Sequence, residues 1–126
     1  MSGNKGFTLI EVMVVVVIVG IISAIAYPSY IDFLIKGGRS DAHTALMKVA
    51  NLQEQYYLDH RTYTDDLADL GLSTTTENNQ YDLETTGGGS FTATATPKGS
   101  QATRDTECPT ITISDSGVKG PKKECW

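Results

Sequence analysis

The sequence predicts an α+β fold: one long N-terminal helix with an apolar, projecting half and an amphipathic half packed on a three- or four-stranded antiparallel β-meander. Three observations predict it. Residues Val12–Ile31 carry no charge, whereas the rest of the chain is polar and rich in Thr and Gly. Apolar residues recur at helical spacing beyond that run, and alternating segments separated by Gly-rich turns follow. The 126 residues fit one globular domain at most. A net charge of −5 gives no global pull toward nucleic acid or anionic lipid, so any such contact needs a local basic patch.

The N-terminal element begins with the short polar stretch MSGNKG, followed by FTLIEVMVVVVIVGIISAIAYPSY. About 20 apolar residues suffice to cross a bilayer as a helix. Three readings meet here: a secretory signal with Ala24-Ile25-Ala26 as a small-x-small cleavage site, a plain membrane anchor, or a helix that leaves the bilayer and packs against its own kind. Glu11 separates them. An ionisable residue in a spanning helix costs on the order of 2.5–3.5 kcal/mol at the bilayer centre and less toward the edge. A signal or simple anchor has no use for that cost. It makes sense if a cation meets the carboxylate later, such as an α-amine exposed at Phe7 on the same chain or a neighbour; the helix macrodipole also favours negative charge there. Lys5 before the span, against Lys36 and Arg39 beyond it, does not support a cytoplasmic leader by the positive-inside rule. Gly20 and Pro28 cost about 1 and 3 kcal/mol in a helix interior, marking either a tolerated kink or a deliberately weak stretch.

Past Ile35 the pattern turns amphipathic, with Ala42, Leu46, Val49 and Tyr56 on one face and Ala45 and Leu52 beside it. The expectation is a nearly continuous helix from Phe7 to about His60, roughly 80 Å long, bent near Pro28 and loosened at Gly37-Gly38. Residues 61–80 link it to the sheet, anchored by Tyr63, Leu67, Leu70 and Leu72, with Ser73–Gln80 expected to be mobile. Residues 81–85 and 91–96 alternate apolar with polar and flank Gly87-Gly88-Gly89, which reads as a hairpin. Residues 110–114 form a third strand, and Val118-Lys119 a short fourth after the turn Asp115-Ser116-Gly117. No second helical pattern separates these strands, so the sheet is antiparallel. Leu83, Phe91, Ala93, Ala95, Ile111 and Ile113 should face the helix.

The two cysteines, Cys108 and Cys125, form no C-x-x-C pair and have no zinc-like spacing to His43 or His60. They are either two separate buried thiols or a disulfide, which by loop entropy would stabilise so small a core by roughly 3 kcal/mol. A disulfide places the polar part on the oxidising side of a membrane. Neither a nucleophile triad, a phosphate loop nor paired catalytic carboxylates stand out, and no metal or other cofactor is expected. Asp65, Asp66 and Asp69 fit no EF-hand spacing and read as a solvated turn. His43 and His60 are expected as surface side chains. Tyr27, Tyr30 and Phe33 step along the helix as packing aromatics. Lys119, Lys122 and Lys123 cluster near the disulfide; beside Asp115 and Glu124 they read first as a solvated tail, with nucleic acid as the bolder alternative.

Gly6-Phe7-Thr8-Leu9-Ile10-Glu11, the following apolar run with Gly20, and Ala26-Tyr27-Pro28-Ser29-Tyr30 resemble the class III signal of type IV prepilins. The match is close over residues 5–35. The long helix, variable loop, meander and C-terminal cysteines resemble type IVa pilins more loosely, and the short chain with its terminal Cys-Trp resembles a minor pilin. The resemblance implies a leader at 1–6, a transmembrane and filament-core helix at 7–35, and a globular head at 36–126. It implies cleavage after Gly6 by a prepilin peptidase, N-methylation of Phe7, and pairing of Glu11 with the Phe7 amine of an adjacent subunit. The stretch from Gly20 to Pro28 would unwind on assembly. The implied partners are other pilin subunits, an inner-membrane assembly platform and, indirectly, a cytosolic ATPase. The implied location is the inner membrane with a periplasmic head before assembly, and an extracellular pilus after it. The alternatives are a pseudopilin of a type II secretion or DNA-uptake system, or a signal-anchored periplasmic binding domain that never polymerises.

Overall fold

Helix α1 runs over Leu9–His60 in the computed structural model, which describes residues 3–126; Met1 and Ser2 of the expected leader lie outside the described residues. The helix starts two residues later than expected because Thr8 caps it instead of joining it. The chain divides into two units, Met1–Leu34 and Ile35–Trp126. In the first, Pro28 lies inside the helix, and the Ser29 hydroxyl donates to the Ile25 carbonyl one turn back. From Phe7 to Tyr30 its large apolar side chains are exposed, between 49% at Val12 and 88% at Phe7.

In the second unit α1 buries one stripe: Gly38, Ala42, Leu46, Val49 and Gln53. The spacing of four, four, three and four keeps all five on one face. The aliphatic members are those that periodicity identifies. Gly38 and Gln53 are additions, and Tyr56 is only half-buried. Gln53 replaces an apolar residue because it carries its own partners: Nε2 donates to Thr64 O (2.7 Å) and Thr85 Oγ1 (2.9 Å), while Oε1 accepts from Thr64 N (3.1 Å). A buried amide so satisfied costs little and ties the loop after α1 to the first strand.

The sheet is an antiparallel meander of β1 (Tyr81–Thr85), β2 (Thr92–Pro97), β3 (Ile111–Ser114) and β4 (Lys119–Gly120), paired in that order. Its register sets Leu83 opposite Ala95 and Ala93 opposite Ile113. Those side chains, with Ile111, therefore share the face that meets Ala42, Leu46 and Val49 in one buried cluster. Phe91 is buried too, with its ring edge-on to Tyr63 at 4.9 Å. The turn between β1 and β2 lies against the chain after α1, where Tyr63 and Gly88 exchange backbone hydrogen bonds of 2.9 and 3.0 Å. A Cβ on Gly87 would stand 2.7 Å from that backbone, so only glycine allows the approach.

Other expectations change as well. Ser73–Gln80 is not a loose loop but a turn folded back on β1: Leu83 N–H donates to Thr74 O (2.7 Å), Thr76 N–H to Tyr81 O (3.0 Å), and Thr76 is buried. Its Oγ1 accepts from Gln80 N and Tyr81 N, which is how a polar segment acquires order without apolar side chains. A short helix, α2 (Ser100–Arg104), also follows β2.

α2 locks the start of the head. Gln101 is buried; its Nε2 donates to Ile35 O (3.1 Å) and to Tyr81 Oη (3.0 Å). A Cβ on Gly38 would lie 2.4 Å from the Gln101 amide, so Gly38 is the notch into which that side chain fits. Gly37 meets nothing, and the helix is continuous through both residues instead of loosening there.

Candidate functional site

The residues singled out at the N-terminus occupy a non-helical lead-in and the first turn of α1. Gly6 and Phe7 precede the helix, and Phe7 is exposed. Thr8 and Glu11 form a reciprocal pair: Thr8 N–H donates to Glu11 Oε2 (2.9 Å), and Glu11 N–H donates to Thr8 Oγ1 (3.3 Å). This capping box satisfies two of the helix-end donors that have no partner within the helix. Sequence reasoning assigned amines and the macrodipole to Glu11 and missed Thr8, although Thr-x-x-Glu is the signal that announces it. The box points the carboxylate at the chain's own N-terminal end, beside the peptide nitrogen of Phe7's successor. No cation pairs with Glu11 among the described residues. Gly20 has open space where a Cβ would be, so nothing within the chain requires glycine there.

The second group lies at the disulfide. Cys108 and Cys125 are bonded and buried. Their segment is held to α1 by side chains one turn apart. Arg39 donates Nε and Nη2 to the two oxygens of the Asp105 carboxylate at 2.7 and 2.8 Å, and Nη1 to Glu124 O at 3.4 Å. The Asp105 hydrogen bond holds the Arg39 guanidinium above its ordinary range, against the opposing effect of burial. His43, expected at the surface, is half-buried: its Nε2 donates to Cys125 O at 2.6 Å and its ring stacks on Trp126. The correction has a physical cause. The segment closed by the disulfide lies across this turn of α1, and an imidazole meets both a carbonyl and an indole. His60 stays exposed, stacked on Tyr56.

Lys119, Lys122 and Lys123 are all exposed on this segment, with Lys119 Nζ 5.0 Å from the Trp126 ring centroid and Lys122 Nζ donating to Glu107 O. Acidic residues Asp65, Asp66, Asp69, Glu77, Asp82 and Glu84 populate the connecting segment and β1, with Lys98 paired to Asp82 at 3.2 Å, while the three lysines lie in the C-terminal segment beside Asp115 and Glu124. Two of the acidic residues have local tasks: Asp66 caps the 3₁₀ turn Leu67–Leu70, and Asp69 accepts from the Thr64 hydroxyl.

Residues 1–27 match the prokaryotic N-terminal methylation motif. Residues 28–112 match the family described as type IV minor pilin ComP, DNA uptake sequence receptor. The type IV major pilin PilA of Myxococcus xanthus is 39% identical over 70 residues, 56% of this chain and 32% of that protein. The type IV major pilin PilE of Neisseria gonorrhoeae is 37% identical over 70 residues, 56% of this chain and 42% of that protein. The chain thus spans less than half the length of these relatives. A type IV pilin structure from Shewanella oneidensis shares the fold, with a TM-score of 0.55 at 24% identity over 73% of this chain and 97% of that one. With the methylation motif leading into an apolar helix and a four-stranded head behind it, this chain is a type IV pilin: a structural, non-enzymatic protein of the ComP minor-pilin family, membrane-held by its N-terminal helix before assembly and on the pilus after it.

Proposed function

We propose that the chain is a minor pilus subunit that is cleaved after Gly6 by a prepilin peptidase, methylated at Phe7 and packed into a fibre through the apolar half of α1. Its head then offers the Lys119, Lys122 and Lys123 face to DNA. The observation that carries the assembly reading is the apolar half itself. It is long and apolar enough to cross a membrane, and none of its most apolar window is buried within the chain. At about 25 cal/mol per Å² such a surface gains strongly from cover. A bilayer supplies that cover first and neighbouring pilin helices supply it next. Glu11 sets the register: extracted from the bilayer, its carboxylate exchanges or shares the Thr8 N–H with the new α-amine of an adjacent Phe7. Gly20 and Pro28 form a weak stretch between two stronger ones, able to yield when helices crowd. The inner-membrane platform and, behind it, an ATPase drive the transfer.

The DNA reading rests on the family's description together with three exposed lysines in the C-terminal segment. A net acidic protein binds a polyanion only through a local basic face, and three exposed lysines beside a rigid disulfide make one. Two measurements test these readings. The intact mass of the chain from its native host should show a methylated Phe7 as the first residue; a chain starting at Tyr27 would mean ordinary secretion and overturn the assembly reading. Replacing Lys119, Lys122 and Lys123 by Gln should abolish retardation of duplex DNA at moderate salt, and unchanged retardation would remove DNA from this face.

A further inference from the structure

Trp126 is the single tryptophan of the chain and joins three elements. Its Nε1–H is shared between Thr112 O on β3 (3.1 Å) and Gly120 O on β4 (3.2 Å), which anchors the nitrogen edge of the ring. One face lies on the His43 imidazole of α1, with centroids 4.7 Å apart and planes 9° from parallel. The Lys119 ammonium stands 5.0 Å from the ring centroid. His43 is itself fixed by its bond to Cys125 O, next to the Glu124 carbonyl that Arg39 holds one turn earlier. Of the three lysines, Lys119 is the one whose ammonium stands over an aromatic ring.

We infer that His43 is a positioning residue for DNA binding: through Trp126 it places the Lys119 ammonium where a phosphate can meet it. The inference rests on the DNA reading above and deepens it. A free lysine loses rotamer freedom whenever it contacts a phosphate, and a lysine already held over an indole has lost part of it in advance. The ammonium has three N–H donors, and those turned away from the ring remain for the phosphate. Histidine suits the position for two reasons that an aliphatic residue would not meet. It gives a flat face parallel to the indole, and it gives a donor to a carbonyl beside the disulfide. Since the disulfide already fixes Cys125, what the imidazole adds is the orientation of the ring that follows.

The test titrates a labelled DNA duplex into the full chain in detergent micelles, comparing wild type, His43→Gln, His43→Phe, Lys119→Gln and the His43→Gln/Lys119→Gln pair. Gln keeps an N–H donor without the ring, and Phe keeps the ring without the donor, so one of the two remains informative if the other misfolds. Wild type should show a change in Trp126 emission that tracks binding. His43→Gln should weaken affinity about twofold to tenfold and lower the slope of log K against log salt by about 0.9, one phosphate contact. His43→Phe should lie between Gln and wild type. The double variant should bind no worse than Lys119→Gln alone, because both changes remove the same contact. Wild-type affinity and slope in both His43 variants, or losses that add in full, would overturn the inference while leaving the DNA reading intact. A wild-type chain that does not bind the duplex would overturn both.

Discussion

The two halves of α1 are both helical and both rich in aliphatic side chains, yet they end in opposite states. Val14 and Ile18, in the first half, are 51% and 50% exposed, whereas Leu46 and Val49 in the second are fully buried. The first half is apolar around its whole circumference, and a helix of that kind is buried in something larger than itself or in a membrane. The second half is apolar on one stripe, which the sheet covers. Helix propensity therefore says little about which half stabilises the head; the angular width of the apolar surface says nearly everything. The same chain carries a finished core and an unfinished interface on one continuous element.

Several substitutions sharpen that contrast. Arg39→Met should have the largest effect. It leaves the Asp105 carboxylate, with 1% side-chain exposure, without its cation. Removing one partner of a buried pair costs about 3–5 kcal/mol, read as a fall in the denaturation midpoint. Leu46→Ala should follow at about 2–5 kcal/mol, since its side chain lies within the cluster. Val15→Ala in the apolar half should leave the head's midpoint unchanged to within about 0.5 kcal/mol, because Val15 is 58% exposed. Equal losses at the two sites would break the comparison.

Adjacent glycines make a finer test. Gly38→Ala drives a methyl into the Gln101 amide and should destabilise the head by about 1–3 kcal/mol. Gly37→Ala meets open space and should stabilise by about 0.4–1 kcal/mol through helix propensity and a stiffer unfolded chain. Thermal melts of the pair should move in opposite directions.

A pH-dependent effect concerns Tyr81. Burial holds its phenol above the ordinary value of 10.0, partly opposed by the hydrogen bond from Gln101. The unfolded chain loses this proton first, so beyond pH 10.0 the native state binds more protons. Its contribution is full below that pH and is lost as the pH rises through the higher folded value. Tyr81→Phe should cost about 1 kcal/mol at neutral pH through the lost bond and should flatten this alkaline limb. A limb unchanged in the variant would assign it to other groups.

Much of this architecture was legible in the residues. Alternation located β1, β2 and β3 to within a residue, because one face of each is buried and a one-residue slip would turn every side chain outward. The aliphatic stripe Ala42, Leu46 and Val49 followed from period alone. What escaped was polar. Gln53 and Gly38 continue the same stripe, but a buried amide is recognisable only once its three partners are known, and a glycine notch only once Gln101 is seen to fill it. Ser73–Gln80 looked like a loose loop because its order comes from Thr76 and backbone bonds, not from apolar anchors. His43 is similar: a helical histidine reads as surface until a carbonyl and an indole arrive from residues far along the chain. Thr8 was the avoidable omission, since its spacing to Glu11 is local and needs no tertiary knowledge.

The central claim is that the exposed apolar half of α1 is covered by other subunits, aligned through Glu11. Electron microscopy of sheared surface fibres, gold-labelled with an antibody against residues 61–126, tests it most directly when wild type is set beside Glu11→Ala in the native host. The account predicts label on wild-type fibres and little or none with Glu11→Ala, whose product should remain in the membrane fraction. Fibres labelled equally in the two strains, or a wild-type chain confined to the membrane, would contradict it.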